Sequence, residues 1–124
     1  MVSAGTTLEL METEVDAVIR NCWRIAVTAE GHVRAVMYFG ELVSDRRNRF
    51  LIGHRILTST VVMEEGDRIR TLNSVYRIEG TLQSVSLSPA EWEVMRALRL
   101  SPSDWEMLRD QALVSIAAGR DQIH

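Results

Sequence analysis

The chain has 124 residues, a net charge of −3 and 46% hydrophobic residues, which is typical of one globular domain and excludes a disordered segment. No apolar run approaches the roughly 20 residues of a membrane span and the first residues do not resemble a signal peptide, so we expect a cytoplasmic protein that makes no membrane contact. One cysteine excludes an internal disulfide, and we expect Cys22 to be a buried structural thiol.

The first predicted element is a helix over about residues 7–20. Thr6 and Glu9 form a capping-box start, and apolar side chains then recur at helical spacing at Leu8, Met11, Val15, Val18 and Ile19. Glu9, Glu12 and Asp16 would share a neighbouring stripe. That acidic stripe is either a surface for an arginine-lined partner or an ordinary solvated face.

Residues 22–86 have the pattern of β-strands. A hairpin turn is predicted at Glu30-Gly31 and another around Gly66, and a further strand follows Asn73-Ser74. Isolated glycines recur every 9 to 14 residues along this segment, at Gly31, Gly40, Gly53, Gly66 and Gly80. This spacing predicts an antiparallel sheet or small barrel of about five strands rather than βαβ units.

Two closing helices are predicted at about 89–99 and 102–119. The segment Leu87-Ser88-Pro89-Ala90-Glu91-Trp92 recurs 13 residues later as Leu100-Ser101-Pro102-Ser103-Asp104-Trp105. Each copy has a serine cap, a proline at the first helical position, an acidic residue three places after the cap and a hydrophobic staple. The whole chain is therefore expected to be a single α+β domain, with an N-terminal helix, the sheet and two C-terminal helices.

The last helix is expected to be apolar on more than one face. One stripe contains Trp105 and Leu108, and a second contains Met107, Val114 and Ala118, which makes these three residues candidates for an interface or for a homodimer through 102–119. Tryptophan, methionine and arginine also repeat along both closing helices, and these residues are enriched in interface cores. The alternative is that Trp92 and Trp105 are staples that face the sheet.

The sequence offers little evidence for catalysis. The three histidines have no metal-ligand spacing, and no glycine-rich phosphate loop is present. We therefore predict that the protein is not an enzyme and uses no cofactor or metal.

All 14 basic residues are arginines, and they are concentrated in the middle of the chain. Arg46, Arg47, Arg49 and Arg55 lie around Phe50, a combination that many single-strand nucleic-acid binders use. The alternative is a solvated arginine loop, which the acidic net charge favours.

The run Arg49-Phe50-x-x-Gly53-x-x-Ile56-x-Thr58-Ser59-x-Val61, followed by Thr71-x-x-Ser74-x-Tyr76-x-Ile78, resembles a β-hairpin pattern in short accessory proteins of bacteriophages and prophages. The resemblance implies a small non-enzymatic protein that binds and occludes a host protein complex, such as CRISPR–Cas or another defence system. It implies no particular functional residues. Nucleic-acid binding and homodimer formation stay as alternatives.

Overall fold

The computed structural model describes residues 10–111, in which three long strands dominate. These are β1 (Ala17–Ala29), β2 (His32–Asp45) and β6 (Val75–Leu87), all rich in β-branched and aromatic residues. Between them lie the short strands β3 (Arg55–Leu57), β4 (Val61–Glu65) and β5 (Arg68–Thr71). Helix α1 (Pro89–Ala97) follows β6, and helix α2 begins at residue 102 and is described to residue 111.

The six strands form one mixed sheet in the order β3-β2-β1-β6-β5-β4. β1 and β2 are an antiparallel hairpin through Glu30 and Gly31, which both have the positive φ that such tight turns require. β1 and β6 are parallel. The α+β class is therefore confirmed, whereas the predicted antiparallel sheet or small barrel of about five strands is instead a mixed sheet of six strands. The parallel pair joins residues some 60 positions apart and leaves no local pattern in the sequence.

The sheet is strongly curved because its two edge strands are consecutive in the chain. Only residues 58–60 separate β3 from β4, and they can span about 14 Å, whereas a flat sheet of this order would place its edges about 24 Å apart. The Arg24 guanidinium on β1 is joined to the Glu64 carboxylate on β4 by two hydrogen bonds of 2.8 and 3.0 Å, which link the two strands across the curved sheet. Tyr38 donates its hydroxyl to the same carboxylate at 2.7 Å.

Two apolar cores lie on opposite faces of this sheet. One core fills the concave side and includes Ile19, Cys22 and Ile69. The other includes Ile25 and Leu87 and lies under the two helices. β1 contributes side chains to both cores. A bulge at Asn21, where φ is 52°, shifts the alternation of side chains along the strand, so Ile19 lies in one core and Ile25 in the other.

Cys22 is buried as expected, and Gly40 makes room for it. A Cβ atom at position 40 would lie 2.5 Å from the Cys22 sulfur. Burial raises the pKa of the Cys22 thiol to about 12, so the thiol is protonated at neutral pH and is a structural group.

The starts of both closing helices are confirmed. At each one, serine and the acidic residue three places later exchange hydrogen bonds with each other's backbone N–H, in the pairs Ser88–Glu91 and Ser101–Asp104. Trp92 and Trp105 are partly buried and pack against the core under the helices, as the staple interpretation predicts.

The N-terminal helix ends earlier than predicted. Residues 10–12 are helical, and the Arg68 guanidinium donates hydrogen bonds to the carbonyls of Leu10, Met11 and Thr13. Residues 17–20 belong to β1 instead, since Ala17 pairs with Asp45 on one side and with Tyr76 on the other. Pairing on both sides outweighs the helical spacing of the apolar residues.

The hairpin pattern that carries the phage resemblance is divided in space. Residues 49–53 form a loop, and Ile56 lies on β3, which pairs with β2. Val61 pairs with Thr71 in a separate hairpin of β4 and β5 at the other edge. The expectation of one hairpin over the whole motif is therefore wrong.

Candidate functional site

The loop after β2 contains three of the four arginines predicted to bind a partner, and buried carboxylates hold it in place. The Asp45 side chain is 0% exposed. It accepts the backbone N–H groups of Arg47, Arg49 and Phe50 at 3.1, 2.7 and 3.3 Å, and it forms an ion pair with the Arg49 guanidinium at 3.3 Å. Burial raises the pKa of Asp45, but the N–H groups of Arg49 and Arg47 and the Arg49 guanidinium outweigh it, so the pKa lies below its ordinary value.

Asp16 plays the same part for the other two arginines of this loop. Its side chain is 6% exposed, accepts the Val75 N–H at 2.8 Å, and forms ion pairs with Arg46 and with Arg47, the latter at 3.4 Å. Burial opposes ionisation here as well, but the Val75 N–H and the Arg46 guanidinium hold the pKa of Asp16 below its ordinary value. Asp16, from the predicted acidic surface, therefore binds Arg46 and Arg47, from the predicted arginine surface.

The other predicted site residues that the structure describes lie on different elements. Glu12 is exposed on the N-terminal turn, whereas Asp16 is buried beyond that turn, so these two residues do not share the predicted acidic stripe. Glu9, Val114 and Ala118 lie outside the described residues. Met107 is 59% exposed on α2, as an interface residue would be.

Arg55 lies away from the loop, on the sheet face that carries the helices. It lines a cavity of about 220 Å³ together with Trp23, Phe39, Glu41 and Ser103. Its charge helps to lower the pKa values of Glu41 and Asp104, although the Arg20 guanidinium has the larger effect on Glu41 and the Ser101 hydroxyl and N–H on Asp104. Arg55 makes no hydrogen bond to another side chain in residues 10–111.

A groove runs from this cavity between α1 and the β2–β3 edge, and we call it the α1 groove. It consists of two adjoining cavities of about 230 and 320 Å³, which share Leu57, Trp92 and Arg96. The first is mainly apolar; its other lining residues are Phe39, Met95, Arg99 and Leu100. The second ends at Met37 and the polar residues 58–60. The groove adjoins the Arg55 cavity at Phe39, which lines both.

Arg96 and Arg99 are the charged residues of the α1 groove. The Arg96 guanidinium lies over the Trp92 ring, 5.7 Å from its centroid. No carboxylate in the described part of the chain forms an ion pair with either arginine. These two cations, unlike those of the loop, are available to a partner.

The backbone at Arg99 adopts the left-handed conformation, with φ of 54°. The N–H groups of Arg99 and Leu100 donate to the carbonyls of Arg96 and Met95, which ends α1 in a motif that usually places glycine at this position. An arginine here carries a conformational cost that a glycine does not. The side chain at this position is therefore a candidate for a functional role.

Part of the groove could be predicted from the sequence. The repeat of tryptophan, methionine and arginine along the closing helices includes Trp92, Met95, Arg96 and Arg99. Phe39 and Leu57 have no such signal, because they reach the groove through the pairing of β2 with β3, in which these two residues are partners.

Two classes of site have no support in the described residues. No group of three His, Cys, Asp or Glu side chains in residues 10–111 is placed to hold a metal ion. No helix in this part of the chain is long and apolar enough to cross a membrane.

Compared with known proteins, the chain matches no family model, no curated protein and no solved structure.

Proposed function

We propose that this chain is a non-enzymatic binding protein whose α1 groove holds an acidic and partly apolar segment of a protein partner. The observation that carries the proposal is the pair of exposed guanidinium groups of Arg96 and Arg99, which lie above an apolar floor and have no carboxylate partner within residues 10–111.

The chemistry of the groove supports such a ligand. A guanidinium can bind a carboxylate by two parallel hydrogen bonds. The Trp92 ring holds the Arg96 guanidinium in place for such a contact. Phe39, Leu57 and Met95 offer a floor for aliphatic or aromatic side chains. A segment in which acidic and apolar residues alternate would use both parts of the groove.

This proposal belongs to the class of function that the phage resemblance implies. A domain of 124 residues that docks on an acidic segment of a larger complex covers that surface against other partners. Inhibition of a host complex by occlusion, including a defence complex, is the form of this function that we propose.

Nucleic-acid binding receives less support. Three of the four arginines that favoured it, Arg46, Arg47 and Arg49, pair with Asp16 or Asp45, which reduces the positive charge that a phosphate backbone would meet. Arg55 also acts electrostatically on Glu41 and Asp104.

Fluorescence anisotropy at low salt tests the proposal with a labelled peptide of alternating glutamate and leucine. We expect the wild-type protein to bind this peptide and to reject the analogue of alternating lysine and leucine. The Arg96→Ala/Arg99→Ala variant should bind at least about tenfold more weakly, equivalent to about 1.4 kcal/mol.

The matched control is Arg34→Ala, which removes an exposed arginine from the far end of β2. It should leave binding unchanged. Equal binding by the groove variant and the wild type would contradict the proposal, as would absence of binding to the acidic peptide. Tight binding of a labelled oligothymidine that is lost in Arg46→Ala/Arg47→Ala would favour the nucleic-acid alternative instead.

A further inference from the structure

The exposed strand edges in the described part of the sheet differ in length and charge. β3 has three residues and begins with Arg55, and β4 has five residues and ends with two glutamates. Short strands and charged side chains are the usual protection of a sheet edge against pairing with another chain. The part of β2 that extends beyond β3 carries His32 and Arg34.

The free edge of β6 is neither short nor charged. β5 pairs with β6 only at residues 75–77, and the Ile78 N–H donates to the Asp67 carbonyl. From residue 80 to residue 87, β6 pairs with β1 on one side and with no other described strand on the opposite side. Its sequence from Gly80 to Leu87 contains no charged residue and no proline.

The side chains along this segment are accessible. Leu82 is 52% exposed, and Thr81, Gln83, Ser84 and Ser86 are exposed as well. α1 and the core beneath it take up Val85 and Leu87 on one face of the strand, and no described strand pairs with the outer edge of residues 80–87. A row of backbone N–H and C=O groups at an open edge is a template for one more strand.

We infer that the occupant of this edge is the β6 strand of a second copy, paired antiparallel about a two-fold axis. A two-fold axis brings the same segment of both copies together, so the partner must be compatible with its own sequence. The uncharged segment from Gly80 to Leu87 meets this condition, whereas strands that carry arginine or glutamate would place like charges opposite each other.

The resulting dimer joins the two sheets through their β6 strands, in the order β3-β2-β1-β6 of one copy followed by β6-β1-β2-β3 of the other, and β5 and β4 stay beside the first residues of each β6. It leaves the α1 groove of each copy open, because the groove lies along β2 and β3, beyond β1 from β6. The inference does not depend on the proposed function. It also differs from the homodimer expected through residues 102–119, which would use α2.

Sedimentation velocity over a range of concentrations tests the inference with charge-exchange variants. We expect wild-type protein to form a dimer, and both Leu82→Lys/Gln83→Lys and Leu82→Glu/Gln83→Glu to weaken it at least tenfold by like-charge repulsion. An equimolar mixture of the two variants should recover the dimer, because the lysines of one copy then lie near the glutamates of the other instead of near like charges. Hydrogen exchange of the wild type should become slower at residues 80–86 as the concentration rises.

Far-UV circular dichroism and thermal melts establish that both variants are folded. Recovery of the dimer in the mixture also does so, since a misfolded chain would not regain it. The control is Met107→Lys on α2, which should leave the dimer intact. Wild type that stays monomeric at hundreds of micromolar would overturn the inference. So would a dimer that is lost in Met107→Lys and retained in the β6 variants.

Discussion

The loop after β2 and the α1 groove are both rich in arginine, but their arginines have different partners. In the loop, Arg46, Arg47 and Arg49 pair with Asp16 or Asp45, two carboxylates that are almost completely buried. In the groove, Arg96 and Arg99 have no carboxylate partner in residues 10–111, and Arg96 lies over an aromatic ring. The density of arginine along a sequence therefore does not give the charge that a partner meets. The position of the carboxylates decides it.

Removal of the Asp45 carboxylate should have the largest effect on stability. Asp45→Ala leaves three backbone N–H groups without their acceptor and the Arg49 guanidinium without its ion-pair partner. We expect the free energy of unfolding to fall by about 2–4 kcal/mol. Urea denaturation measures this change.

The control is Arg96→Ala/Arg99→Ala, which removes two arginines with no such partners. It should change the free energy of unfolding much less than Asp45→Ala does. An equal loss of stability in both variants would contradict the division of the arginines into structural and available ones.

The pH dependence of stability should come from the same carboxylates. Asp16 and Asp45 have folded-state pKa values below their ordinary value of 3.8, so as the pH falls the unfolded chain takes up protons before the folded chain does. Their contribution is therefore complete at neutral pH and is lost progressively as the pH falls from about 5 through the folded pKa values. Urea midpoints measured from roughly pH 7 down to pH 3 should fall more steeply with decreasing pH in the wild type than in Asp16→Asn/Asp45→Asn. Parallel curves would contradict this origin.

Features with local signals could be predicted from the sequence, whereas features that depend on distant pairing could not. Ser88, Pro89 and Glu91 lie within four residues of one another and predicted the start of α1, and Glu30-Gly31 predicted its hairpin in the same way. Residues 17–20 were expected to be helical because their neighbours in β2 and β6 are 21 or more positions away.

The candidate site follows the same rule. Asp16 and Arg46 are 30 residues apart, so the sequence presented them as two surfaces rather than as one ion pair. Asp45, by contrast, is four residues from Arg49, and its place beside the arginine run was a local signal of their pairing. The groove residues on α1 were visible as an interface composition, but Phe39 and Leu57 required the pairing of β2 with β3.

Arg99 offers a test in which stability and binding change in opposite directions. Arg99→Gly relieves the left-handed backbone at the end of α1, and we expect it to raise the free energy of unfolding by about 0.5–1 kcal/mol. The same variant loses one of the two groove cations, so it should bind the acidic peptide more weakly. Urea denaturation and anisotropy measure the two effects.

Arg99→Ala is the matched control, because it removes the guanidinium but keeps a side chain in the left-handed conformation. It should weaken binding as much as Arg99→Gly does, without the gain in stability. A gain of stability in both variants would show that the side chain, rather than the backbone, causes the cost.

The smallest effect is expected at Arg46, and it tests how far the loop arginines are purely structural. The Arg46 side chain is half exposed, and Asp16 keeps the Val75 N–H and Arg47 as partners when the Arg46 guanidinium is removed. The Arg46 N–H also continues to donate to the Asp16 carbonyl. Arg46→Ala should therefore lower the free energy of unfolding by less than about 0.5 kcal/mol. It should leave peptide binding unchanged, since its charge is compensated in the wild type. A loss of binding equal to that of the groove variant would extend the binding surface from α1 to the loop.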